Sequence, residues 1–116
     1  MIPRGSSDPY YDLIEDYNLI VSSFQSQYGI RLSKEINTMP WDEFRDLLVG
    51  IAPDTALGRI VAIRAEEDEE MLKHFSREQH RIRNAWRSRK AKQVTGEDMD
   101  AMLNHMKDLF LSMAGR

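Results

Sequence analysis

Between Tyr10 and Tyr28, apolar side chains recur at every third or fourth position: Tyr10, Leu13, Ile14, Tyr17, Ile20, Val21, Phe24 and Tyr28. That spacing follows the 3.6-residue turn of an α-helix and gathers these side chains on one face. Asp12, Glu15, Asp16, Ser22, Ser23 and Gln25 fall largely off it. Asp8 is a good N-cap, and Pro9 stands where a helix tolerates proline, at its first position. Gly29 ends the pattern, because glycine enters the left-handed region without a Cβ penalty. A helix with one apolar stripe must bury it against other elements, and the remaining chain offers helices for that purpose.

Ile30 to Met39 reads as a connector, with one helical turn begun at Ser33. Thr38, Pro40, Asp42 and Glu43 mark the start of a second helix, which turns Trp41, Phe44, Leu47, Leu48 and Ile51 inward and is interrupted near Gly50 and Pro53. Asp54 and Thr55 cap a third. It carries Leu57, Ile60, Val61 and Ile63 into an acidic run and on to Met71, Leu72 and Phe75. Ile60 to Ile63 alone resembles a short strand, but a lone strand leaves its backbone groups unpaired, so helix is the consistent reading. Ser76 followed by Gln79 has capping-box spacing, where a new helix begins or a long one bends. The last helix follows Thr95-Gly96-Glu97-Asp98 and sets Met99, Met102, Leu103, Met106, Leu109, Phe110 and Met113 on one stripe. The expectation is an all-α fold, an irregular bundle of four to five helices with no sheet. Trp41, Phe44 and Leu48 should pack on Tyr17, Ile20, Val21 and Phe24.

At 116 residues the chain is one domain by size. Residues 1–8 are expected to be disordered, and Pro3-Arg4-Gly5-Ser6 resembles the remnant of a cleavable tag. Residues 9–94 form the helical core. Residues 95–116 form a C-terminal amphipathic helix that can pack in more than one way. No apolar run approaches the roughly 20 residues that span a bilayer, and no signal peptide opens the chain. Cysteine is absent, which excludes disulfides and thiolate chemistry. These features fit a cytosolic protein.

The formal charge of −3 conceals segregation. Glu66 to Glu70 is five acids in a row, whereas 77–92 carries Arg77, Arg81, Arg83, Arg87, Arg89, Lys90 and Lys92 against Glu78 alone. Neighbouring blocks of this kind either compensate each other or meet a charged partner. His74, His80 and His105 lack the spacing of a zinc site, and the contiguous acids lack the alternation and glycine turn of a calcium loop. No phosphate-cradling glycine loop or nucleophile elbow occurs. The expectation is therefore a binding protein that is not an enzyme and takes no metal or cofactor. Nucleic acid is a poor partner for it: the helix after the Ser26 to Ile30 turn opens with Asp42, Glu43 and Asp46, which repel phosphate, and the chain is acidic overall. For protein partners the candidate contact residues are Arg81, Arg83, Trp86 and Arg87 on the basic segment, and Met102, Met106 and Phe110 on the methionine-rich stripe.

Three blocks together carry a family resemblance. They are Asp16 to Ile20 with Phe24-Gln25-Ser26-Gln27-Tyr28-Gly29-Ile30; Met39-Pro40-Trp41-Asp42-Glu43-Phe44; and Asp54-Thr55-Ala56-Leu57-Gly58-Arg59-Ile60-Val61-Ala62-Ile63-Arg64. In this order they resemble a family of small proteins of long-tailed bacteriophages and prophages, encoded just upstream of the tape-measure gene and regarded as tail assembly chaperones. The likeness continues more loosely through Phe75 and Ile82 to Arg87, covering about residues 16 to 90 and leaving out Val94 to Arg116. It implies a protein of the bacterial host cytoplasm that binds the tape-measure protein, and the tail-tube protein as a further partner, by taking helices into grooves. Self-association through the C-terminal helix is a further expectation. The alternatives are a DNA-binding or packaging module that uses residues 77–92, and a structural tail or connector component.

Overall fold

The computed structural model describes residues 8–92 and 99–114, with side chains described for 8–91 and 103–114. Among the described residues seven helices follow one another: α1 Tyr17–Tyr28, α2 Leu32–Glu35, α3 Trp41–Val49, α4 Ala56–Ala65, α5 Glu69–Lys73, α6 Arg77–Lys92 and α7 Met99–Ala114. No strand occurs among the described residues, so the all-α expectation holds. The helix count is higher than the expected four to five. The connector after Gly29 contains the single turn α2, and the expected third helix is two, α4 and α5. Of the start expected to be disordered (1–8), residues 1–7 lie outside the described residues, as does the Thr95-Gly96 hinge, whereas Asp8 is held by hydrogen bonds to Tyr10 and Trp86.

The break between α4 and α5 falls inside the acidic run. Glu66 leaves the helix with ψ 131, and Asp68 restarts it by accepting the Glu70 N–H on its own carboxylate. Five adjacent acids on one continuous helix would repel one another across each turn. The bend instead places Asp68, Glu69 and Glu70 at a helix N-terminus, where negative charge is favourable.

The first helix also differs from expectation, starting at Tyr17 rather than Pro9. Residues 8–16 run as turns held by aspartate side chains. Asp8 Oδ1 accepts from the Tyr10 N–H, Asp12 Oδ1 accepts from the Ile14 and Glu15 N–H groups, and Asp16 Oδ2 accepts from the Asp12 N–H. Such local bonds compete directly with helix formation. Tyr10 takes a positive φ of 66°, and Ile14, expected on the buried stripe, is half exposed. From Tyr17 onward the stripe behaves as read: Ile20 and Phe24 are fully buried. Gly29, at φ 72°, closes α1 in the left-handed conformation, with its N–H on the Gln25 carbonyl and that of Ile30 on the Phe24 carbonyl.

The core is aromatic at its centre. Phe44 of α3 stacks on Phe24 of α1 at 5.4 Å and meets Phe110 of α7 at 4.6 Å, while Trp41 stands 5.5 Å from Phe110. Leu13, Ile20, Leu32, Leu48, Leu57 and Met106 complete it. Polar side chains of α1 fasten the turn between α3 and α4. Buried Ser23 accepts the Leu57 N–H, Gln27 bridges the Gly50 carbonyl and the Ala52 N–H, and Tyr28 donates to the Leu47 carbonyl. Gly58 is required at this turn, because a Cβ there would lie 2.1 Å from the Ala52 carbonyl oxygen.

Candidate functional site

α6 begins with the capping box read from the sequence: Gln79 N–H donates to Ser76 Oγ, and Ser76 N–H to Gln79 Oε1. The helix lies along α4, and its cations mostly engage the chain itself. Arg83 Nε donates to the Glu66 carbonyl at 2.8 Å and Arg87 to the Arg64 carbonyl at 3.1 Å, so both satisfy carbonyls at the C-terminal end of α4. Arg87 also lies 3.7 Å from the Glu67 carboxylate. Burial first, and then the adjacent Arg87 charge, lower the Arg83 pKa from its usual value. Arg81 pairs with Glu78 one turn back on the exposed face, and this bond lowers the Glu78 pKa. Arg89 reaches Asp12 at 2.8 Å.

Trp86 is the hub of this region. Only 4% exposed, it donates its indole N–H to Asp8 Oδ2 at 2.8 Å. The Arg64 guanidinium lies 4.3 Å above its ring, with Arg89 and Lys90 further round it. Arg64 in turn forms an ion pair with Asp16 at 2.8 Å and donates to the Tyr10 carbonyl. Both side chains of that pair are largely withdrawn from solvent. Residues 8–16 thus form a strap tied to α4 and α6 by aspartates. The sequence reading missed this use of Asp8, Asp12, Asp16 and Arg64. The signal available was the regular four-residue spacing of the three acids, which a helix explains equally well.

Of the candidate contact residues, the structure brings Arg83, Trp86 and Arg87 together at the α4–α6 seam, and leaves Arg81 on the outer face. Met106 and Phe110 are buried against α3 in the core, and the Met102 side chain lies outside the described residues. A shallow depression of about 400 Å³ between α5 and α6 is lined by Glu69, Leu72, Lys73 and His80. Among the described residues, no cluster of three or more histidine and carboxylate side chains could hold a metal ion, and no helix is long and apolar enough to cross a membrane.

The arrangement is a helical frame braced by Asp8, Asp12, Asp16, Arg64, Arg83, Arg87 and Arg89. A family model described as Bacteriophage Gp15 protein matches residues 2–94, four-fifths of the chain. The protein belongs to that family and is a bacteriophage protein. No curated protein and no solved structure matches it.

Proposed function

We propose that the protein is a non-enzymatic tail assembly chaperone, acting in the host cytoplasm on the tape-measure protein, the tail-tube protein or both. The phage family match over residues 2–94 is the main support, since it takes in all three blocks that carry the resemblance. The helical architecture suits the task, because keeping a long helical client soluble requires helix-binding surfaces and no reaction centre. A chaperone must also leave the finished tail, so moderate affinity and fast release are expected.

The internal use of α6 cations also bears on the DNA-binding alternative. Arg83, Arg87 and Arg89, three of the seven cations in the basic block, contact the chain's own carbonyls and carboxylates, which reduces the charge free to meet phosphate.

Co-expression with the tape-measure protein tests the proposal. The tape-measure protein should stay soluble with this protein and precipitate without it, and purified virions should lack the protein by mass spectrometry. Presence in virions at stoichiometric levels would make it a structural component. Sub-micromolar duplex binding at about 150 mM salt, with a steep salt slope, would make it a DNA-binding module.

A further inference from the structure

Residues 8–16 carry two starts for the same helix, and the structure uses one of them. Asp12 Oδ1 accepts the Ile14 and Glu15 N–H groups at 2.9 and 2.8 Å, as an N-cap does, and the Asp16 N–H bonds to the Asp12 carbonyl at 2.9 Å. The turn that opens at Asp12 leads directly into α1. Four residues earlier, Asp8 Oδ1 accepts the Tyr10 N–H at 2.7 Å, the bond an N-cap makes to the second residue of a helix. Pro9 follows it, at the position where a helix accepts proline. Between the two caps the chain turns away from helix. Tyr10 takes its φ of 66° there, a costly conformation for a bulky side chain.

The seam holds this detour in place. Arg64 donates to the Tyr10 carbonyl at 2.9 Å, Asp8 Oδ2 accepts the Trp86 indole N–H at 2.8 Å, and Arg89 reaches Asp12 Oδ2 at 2.8 Å. Pro9 and Tyr10 are buried. The arrangement is not fully satisfied, because the buried Nε atoms of Arg64 and Arg87 have no acceptor among the described residues. Were the helix continued back to Asp8, the Tyr10 and Tyr11 carbonyls would accept the Ile14 and Glu15 N–H groups. Those are the two donors that Asp12 now holds, so the two arrangements exclude each other.

We propose that residues 8–12 are a two-state segment: a strap that covers Trp86, and a further turn of α1 that starts at Asp8 and uncovers it. Burial of Pro9 and Tyr10 and the ties to Arg64, Trp86 and Arg89 favour the strap. The added turn relieves the positive φ of Tyr10 and uses the second cap. Passing from strap to helix takes Asp8 off the indole N–H and the Tyr10 carbonyl off Arg64. The start of α1 thereby controls the exposure of Trp86 and of the Arg64 guanidinium that lies 4.3 Å above its ring.

Asp12→Ala in the full chain tests this, since it removes the cap in use and leaves the other. The helix should lengthen: Cα chemical shifts of residues 9–12 should become helical, and the Trp86 indole N–H should exchange at least tenfold faster. If Asp12 only caps a fixed helix, the change frays residues 13–16 and leaves 9–11 and Trp86 as they are, which overturns the proposal. An added turn with Trp86 still protected would overturn the coupling between them. Asp8→Ala combined with Asp12→Ala removes both caps and should abolish the helical gain; a gain that persists would show that Asp8 does not start the added turn. Trp86→Phe approaches the balance from the seam, by taking away the donor that holds Asp8, and should give helical shifts at 9–12 with Asp12 in place. It decides the question if Asp12→Ala compromises folding. Loss of the cooperative transition in both variants would make the strap an obligatory part of a single folded state and overturn the proposal.

Discussion

The two sides of this small domain are held together by different physics. Around α1, α3 and α7 the contacts are rings and aliphatic side chains, with Phe44 between Phe24 and Phe110. Around the strap, α4 and α6, they are directional: Asp8 to Trp86, Asp12 to Arg89, Asp16 to Arg64, and Arg83 and Arg87 to helix-end carbonyls. Apolar packing is non-directional and tolerates a substitute of similar size and shape. A buried ion pair requires its geometry, and it penalises the loss of one partner more than the loss of both. Repacking is therefore cheaper on the first side, and the second is the more rigidly specified.

The largest effect is expected on the apolar side. Phe24→Ala removes a fully buried ring that touches both Tyr28 and Phe44, and should cost about 3 to 5 kcal/mol in denaturant unfolding. A loss below about 1 kcal/mol would show that the rings do not carry this half. On the polar side, Asp16→Ala strands the Arg64 guanidinium, whose Nε has no partner among the described residues, and should cost about 3 kcal/mol. Replacing Arg64 with methionine and Asp16 with leucine together should cost less than Asp16→Ala alone. If the double change costs the sum of the two single ones, the pair is not coupled and the contrast between the halves fails.

Tyr11 stands where the strap meets the core, and its phenol reads both. Burial pushes its pKa up to about 12 from the usual 10.0, so the folded state keeps a proton that the unfolded state releases. The stabilisation is complete below pH 10 and is lost as pH rises through 12, amounting to roughly 2 to 3 kcal/mol across that interval. Denaturation midpoints at either end of the interval measure the loss. Tyr11→Phe should flatten that part of the profile, and an unchanged fall in the variant would assign it to other groups.

The apolar half was legible in the sequence, since Ile20, Phe24, Phe44, Leu48 and Phe110 are buried where the 3.6-residue stripe places them. Gly29 and the Ser76 capping box were readable because each acts within a few residues of itself. The polar half was not. Asp8 is an acceptable N-cap and Pro9 an acceptable first helical residue, yet Asp8 bonds to Trp86, 78 positions away. Nothing in the strap's own composition records that partner. Arg83 and Arg87 likewise read as a free basic face because their acceptors are main-chain carbonyls, which every sequence contains. Reversing those two arginines would therefore strike the frame as well as any partner contact. Arg81, paired with Glu78 on the outer face, is the cleaner probe of charge recognition.

The smallest effect separates the way α6 starts from the way it is seated. Ser76 and Gln79 satisfy two N–H groups at the helix start, and Ser76→Ala removes one of these acceptors. Caps of this type contribute about 1 kcal/mol. The seat of α6 lies further along, at Arg83, Trp86 and Arg87, two to three turns from the cap. The loss should therefore fray the first turn and leave the seam intact. Hydrogen exchange should quicken for the amides of residues 77–80, while the Trp86 indole N–H keeps its protection. If Trp86 loses protection together with the first turn, α6 docks as a unit nucleated at its cap, and the frame assigned here to the strap and the seam begins at Ser76 instead.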